Sequence, residues 1–274
     1  MNKKALLVGI NYPGTSSELN GCVNDVIAMR EMIYKYGFSN NGHVRMLTDN
    51  AATTLNILAR LEWLVKDAMA GDVLFFHYSG HGSQVADTDY DFSIEPDGLD
   101  EIICPSDLDW RTKIIKDDDL KDIFSSVPKG VNLTVVLDCC HSGDGMRSFG
   151  NPTFAPSPNT AKVLPTPVDI TNRFYGRDIQ PKARVLSYED EIGILISGCQ
   201  SDQTSADAWI HNKYQGACTY YLLETLDKLG SNCTYEELVS GMNQQLDTFG
   251  YAQNPELNCK SEYKGLKFLQ PLED

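Results

Sequence analysis

Two apolar runs, Asp72–Tyr78 (DVLFFHY) and Leu133–Leu137 (LTVVL), constrain the fold more than any other feature of the chain. Each has the length of a strand, and neither alternates polar with apolar residues, so both faces must be buried. Ala5–Ile10 is a third such run, ended by the turn chemistry of Asn11-Tyr12-Pro13-Gly14. Helical spacing lies between them. Cys22–Tyr36 repeats apolar residues at Val23, Ile27, Ile33 and Tyr34, and Thr54–Met69 sets Leu55, Leu58, Leu61, Val65 and Met69 on one stripe. Short strands are expected at Val44–Leu47, Glu101–Cys104, Gly193–Ile196 and Leu266–Leu269. Helices are expected at Asp118–Val127, at Ala217–Leu229, and after a Thr234/Glu237 capping box. Successive strand–helix units of this kind predict an α/β fold of three layers, with a mostly parallel central sheet and helices on both faces.

The chain has 274 residues, 42% of them hydrophobic, enough for one sizeable core, and the unbroken alternation favours a single domain. One stretch differs. Residues 146–187 carry Pro152, Pro156, Pro158, Pro165, Pro167 and Pro181 with little periodicity, which marks a functional or flexible linker between a larger part (1–145) and a smaller one (188–274). A formal net charge of −15 opposes nucleic-acid binding and suits cationic peptides or divalent metals. The opening MNKKALLVGI is too short for a signal-peptide core or a membrane span, so a cytoplasmic protein without membrane contact is expected. The eight cysteines fit no zinc spacing, and adjacent Cys139 and Cys140 cannot form an unstrained bridge. Sequons occur at Asn132 and Asn232, but the first abuts a core strand and glycosylation is not expected.

Ligand sites in parallel sheets lie beyond the carboxyl ends of the strands. DVLFFHY is followed by Ser79-Gly80-His81-Gly82, and LTVVL by Asp138-Cys139-Cys140-His141-Ser142-Gly143. A histidine between two glycines on a strand exit permits close approach of a substrate. A cysteine at a second exit can project a thiol into the same crevice. Such a pair can work as nucleophile and base, the imidazole taking the thiol proton and returning it to a leaving amine. Backbone N–H groups of Gly82 and Cys140 are candidates for an oxyanion hole. On the residues alone, a buried inert cysteine and a satisfied polar histidine remain open as the alternative.

The motifs YSGHG (Tyr78–Gly82) and DCCHSG (Asp138–Gly143) resemble the paired signatures of metacaspases, in the caspase-like peptidase clan. LNGCVNDV (Leu19–Val26), DGLDEIICPSD (Asp97–Asp107), IKDDDL (Ile115–Leu120), SGCQSDQTSADA (Ser197–Ala208) and QNPEL (Gln253–Leu257) follow in the family's order. The resemblance implies a caspase-like fold, His81 as catalytic histidine and Cys140 as nucleophile. It leaves Cys139 at a variable packing position and His141 outside the chemistry. Asp25 and Asp138 match positions lining the family's primary specificity pocket, joined by Asp207. Such carboxylates would select the guanidinium or ammonium of Arg or Lys and reject an aspartate.

Asp107, Asp117 and Asp118 match carboxylates that hold calcium in calcium-dependent members, and Ca²⁺ is expected as an activating ion with no organic cofactor. The same aspartates could instead cap and stabilise a helix N-terminus. A further family carboxylate beyond the HSG motif is replaced by Met146 and Arg147, with Asp144 nearest. The linker is shorter than in plant-like members, and no prodomain-like segment is expected ahead of the first strand. The resemblance implies a monomer acting on protein or peptide substrates. The linker's own basic residues, Arg147, Lys162, Arg173, Arg177, Lys182 and Arg184, are expected cut sites for self-processing. The alternative is a non-catalytic scaffold or calcium-binding regulator, against which the retained cysteine and histidine argue.

Overall fold

The computed structural model describes residues 1–86, 99–140, 159–167, 170 and 193–272. In chain order the elements are β1 (Lys3–Gly9), α1 (Cys22–Lys35), β2 (Val44–Thr48), α2 (Thr54–Val65), β3 (Val73–Ser79), β4 (Gly82–Ala86), β5 (Leu99–Ile103) and β6 (Ile115–Lys116). They continue with α3 (Asp117–Ser125), β7 (Asn132–Asp138), β8 (Thr160–Ala161), β9 (Ile194–Ser197), β10 (Ala206–Ile210), β11 (Lys213–Gly216), α4 (Ala217–Leu229), α5 (Tyr235–Thr248) and β12 (Glu256–Asn258).

The main sheet has six strands in the order β12-β9-β7-β3-β1-β2, parallel except where β12 meets β9. All seven residues of β3 and of β7 are buried, as their unbroken apolar runs require. Successive side chains leave a strand on opposite faces and so feed two cores. Leu6, Val8, Phe76, Leu133 and Val135 pack with Ile57, Leu61 and Leu64 of α2 and Leu120 and Phe124 of α3. Ala5, Leu7, Phe75, Val136 and Ile196 face Val26 and Met29 of α1, Leu222 of α4 and Leu238 of α5. Helices therefore cover both faces, and the architecture is the expected three-layer α/β sandwich.

Several local expectations are corrected. Helix α2 stops at Val65 because Lys66 turns extended and Asp67 adopts φ 58°, letting the chain double back into β3. Leu55 and Met69, placed on its buried stripe by spacing, are exposed. Leu266–Leu269 is not a strand: Leu269 has φ 51°, and Phe268 and Leu269 plug the core. The sixth strand is β12, which begins in the QNPEL segment and ends just after it at Asn258. Two small antiparallel sheets, β4-β5-β6 and β11-β10-β8, flank the carboxyl ends of the main sheet. Of these strands only β5 was expected, as Glu101–Cys104; polar sequences and partners outside the local pattern hid the others. Strand β8 comes from the proline-rich linker, where no regular structure was expected.

Candidate active site

Strands β3 and β7 pair in parallel with Ser79 opposite Asp138, so the two motif-bearing exits lie side by side. The His81 backbone is clamped by two tyrosines. Its N–H donates to Tyr12 Oη at 2.9 Å, and its carbonyl accepts from Tyr78 Oη at 2.7 Å. Gly80 is required here, because a Cβ would strike the Tyr78 hydroxyl. The His81 ring lies against Tyr12, with centroids 4.7 Å apart. Nε2 is 2.8 Å from the Ser17 carbonyl, which can only accept, so Nε2 carries the proton. Nδ1 then holds a free lone pair, and it has no hydrogen-bond partner among the described residues. Burial lowers the His81 pKa to about 4, so the ring is a neutral base at pH 7.

Cys140 is fully buried and clusters with Cys199 and Val163. Its Sγ accepts the Ser205 N–H and lies 3.6 Å from the Ser205 carbonyl. The thiol is thus parked on Ser205. No hydrogen bond joins it to His81 among the described residues.

Asp25 on α1 and Asp138 at the end of β7 converge, as the motifs implied, and between them sits a side chain of the linker. Lys162 is completely buried. Its Nζ donates to Asp25 Oδ2 at 3.2 Å and to Ser79 Oγ at 2.9 Å, and it forms an ion pair with Asp138 Oδ1 at 3.1 Å. Ser79 Oγ donates onward to Asp25. Asp138 also accepts from Ser205 Oγ and Thr219 Oγ1, each at 2.7 Å, and from the Thr219 N–H. Because the Thr219 hydroxyl proton points at Asp138, His77 must donate its Nε2 proton to Thr219 Oγ1. Gly216 closes the pocket: a Cβ there would overlap Asp138, Asp25 and the Lys162 ammonium.

The electrostatics follow this wiring. Burial pushes the Asp25 carboxyl up, Lys162 opposes that rise, and the charge of Asp138 adds to it. Burial would raise Asp138 too, but Lys162 and the Ser205 and Thr219 donors outweigh it and hold the carboxyl low. Burial alone would lower Lys162, yet Asp138 and Asp25 keep its pKa well above the ordinary lysine value. Asp207 lies at the pocket's rim, buried, with Oδ2 accepting from the Asn20 N–H, and burial raises its pKa.

The backbone of the same lysine completes the site. The Lys162 carbonyl accepts from the Gly82 N–H and from the Cys140 N–H, both at 3.1 Å. These are the two donors expected to stabilise an oxyanion. Lys162 N–H donates to the Ser205 carbonyl, and Ala161 pairs antiparallel with Ala206. The Lys162–Val163 segment is thus held by backbone hydrogen bonds between the His81 and Cys140 strand exits.

The three aspartates matched to calcium do not share one environment. Asp107 Oδ1 accepts from Thr54 N and Oγ1, capping α2, and Lys113 lies 3.5 Å from its other oxygen. Asp117 and Asp118 begin α3, facing Asp100 of β5, which pairs with Lys116. Burial, then the charges of Asp118 and Asp100, raise the Asp117 pKa to about 7. Asp117 Oδ1 is buried and has no hydrogen-bond partner among the described residues. Among the described residues no three His, Cys, Asp or Glu side chains are close enough to hold a metal. His141, Asp144, Met146 and Arg147, and the linker residues Arg173, Arg177, Lys182 and Arg184, lie outside the described residues.

A thiol and a neutral imidazole at adjacent parallel strand ends, below two N–H groups that share one carbonyl, define a caspase-like cysteine peptidase site. Residues 3–148 match the family model for the metacaspase, peptidase C14 domain. The chain is 34% identical to metacaspase-1 of Schizosaccharomyces pombe over 94% of its own length and 67% of that protein's. It is 32% identical to metacaspase-9 of Arabidopsis thaliana, over 97% and 96% of the two lengths. A solved structure of a Geobacter sulfurreducens protein superimposes with TM-score 0.71 at 27% identity, with complete coverage of both chains. The chain belongs to the metacaspase family of cysteine peptidases.

Sequence reasoning named Lys162 only as one basic residue among several. Its setting, Thr160-Ala161-Lys162-Val163-Leu164, is the strand-forming part of the linker and was the available signal. The roles of Ser79, Ser205, Gly216, Thr219 and Tyr12 were missed, since each acts through a contact distant in sequence, and that of Tyr78 because a hydroxyl folding back on its own strand exit leaves no pattern.

Proposed function

We propose that this metacaspase is an endopeptidase that cleaves after lysine or arginine, and that its first substrate is its own Lys162–Val163 bond. The seating of Lys162 between Asp25 and Asp138, with its carbonyl on two N–H groups, carries this reading. Moving off Ser205, the Cys140 thiol gives its proton to His81 Nδ1 and attacks the Lys162 carbonyl carbon. Gly82 and Cys140 N–H groups hold the oxyanion, each worth roughly 2.7–4 kcal/mol in comparable sites. His81 then protonates the departing Val163 amine, and water cleaves the thioester. Until the cut, the linker fills the pocket and the chain is latent.

Calcium is the activator in this reading. Asp117 and Asp118 would hold it, with Asp100 in the position nearest to join them and Asp107 stiffening the neighbouring helix start. The crowded, partly protonated Asp117 suits a hard cation that relieves carboxylate repulsion. Because Asp100 lies on β5 and pairs through β4 to Gly82, a cation there would bias the sheet that carries the oxyanion donor. We further place the protein in the cytosol as a monomer; its eight free, buried cysteines suit a reducing compartment.

The test is hydrolysis of peptides with Lys, Arg or Asp before the cut, with calcium or with chelator, by wild type and Cys140→Ala. Turnover of Lys and Arg peptides by wild type alone is expected, enhanced by calcium. Preferential cleavage after Asp would overturn the specificity, and full activity in chelator would overturn the calcium role.

A further inference from the structure

The linker does not end its contacts at the bond to be cut. Val163 is buried against Cys199 and Cys140 and forms a parallel bridge with Gly82. Gly82 thus brackets the bond, donating to the Lys162 carbonyl on one side and accepting the Leu164 N–H at 2.9 Å on the other. Ser83 Oγ, almost fully buried, donates to the Leu164 carbonyl at 2.6 Å. Thr166 Oγ1 reaches the Gln84 carbonyl at 2.6 Å, and Pro167 and Ile170 line a cleft with Asp109, Trp110 and Arg111. Pro165 is exposed. In an extended chain alternate residues turn their backbone groups outward, so a residue lacking an N–H loses nothing there.

We propose that the edge of β4, from Gly82 to Gln84, is a docking strand for the primed side of substrates, with Ser83 as a substrate-binding residue. It takes an aliphatic first primed residue, needs a free N–H at the second, and accepts proline at the third. The inference rests on reading Lys162–Val163 as substrate-like. It adds that the residues after the cut, and not only the basic residue before it, select the substrate.

The test uses the full-length chain with calcium and three substrates. One is a quenched peptide spanning Thr160–Thr166, the second is the same peptide with N-methylleucine replacing Leu164, and the third is Thr-Ala-Lys-aminocoumarin, which has no primed residues. N-methylation is expected to cut kcat/KM about three- to tenfold, the worth of one net hydrogen bond. Ser83→Ala is expected to cost the primed peptide about three- to tenfold more than the aminocoumarin amide. Equal losses on both substrates, or indifference to N-methylation, overturn the docking strand and leave the peptidase reading intact. If no lysine peptide is cut, the peptidase reading fails, and hydrogen exchange of the uncut Cys140→Ala chain decides the strand separately. A slow Leu164 amide that Ser83→Ala accelerates supports it; a fast Leu164 amide overturns it.

Discussion

Each acidic side chain of the pocket does a different task, set by its neighbours. Asp138 is held ionised by Lys162, Ser205 and Thr219, while buried Asp25 rises in pKa and leans on Ser79 and the Gly216 N–H. Thr219→Val removes one charge-assisted donor from Asp138 and leaves the His77 Nε2 proton without its acceptor. It should raise KM for lysine peptides and lower kcat/KM by about tenfold or more. Steady-state kinetics check this, and an unchanged KM would refute the positioning role. At the nucleophile, Cys140→Ala should abolish turnover while Cys139→Ala, a change at a packing position, retains most of it. The motif DCCHSG made that distinction legible, since only the second cysteine falls in the family register. The His77–Thr219 support was not legible, because its members lie 142 residues apart.

At the scale of elements, the start of α3 stores an electrostatic conflict. Asp117 sits where a helix dipole welcomes a negative charge, yet burial and the adjoining Asp118 and Asp100 oppose ionisation. Its folded pKa of about 7 lies above the unfolded value, so the folded state binds more protons between roughly pH 4 and pH 7. This residue's contribution to stability therefore falls as pH rises through that window and stays low above it. Asp117→Asn should stabilise the calcium-free chain at pH 8 by on the order of 1 kcal/mol or more, with little gain at pH 4. Thermal unfolding at the two pH values measures this. The same variant should lose any activation by calcium.

In the molecule as a whole, the linker is built into the core it is expected to leave. Removing one partner from a buried ion pair typically costs about 3–5 kcal/mol. In a Cys140→Ala background, Lys162→Ala should lower stability by about that amount, and an unchanged unfolding midpoint would show that Lys162 is not seated there. In the active chain, mass spectrometry should find a calcium-dependent cut at Lys162–Val163 that Lys162→Ala eliminates. Two buried neutral histidines set the acid limit. Burial holds His77 at about 3 and His81 at about 4, so the unfolded chain binds more protons below about pH 6.5. Their contribution is complete above that pH and is lost as pH falls toward 4, which a pH series of unfolding midpoints would show.

The sequence by itself determined the three-layer α/β architecture and the two strand exits, and its motifs singled out His81, Cys140, Asp25 and Asp138. The architecture and the exits are written in local pattern, as unbroken apolar runs and helical spacing, and the four residues in motifs that resemble those of metacaspases. The sequence did not determine which basic residue of the linker lies between Asp25 and Asp138, the glycine that leaves room for it, or the small β4 sheet that receives the chain beyond Lys162. Those depend on pairings between segments far apart in the chain, such as Gly82 with Val163 and Gly216 with Asp25. Local periodicity carries no record of a distant hydrogen-bond partner. Only the packing of the main sheet, which sets the carboxyl ends of its central strands β3 and β7 side by side against the linker, decided them.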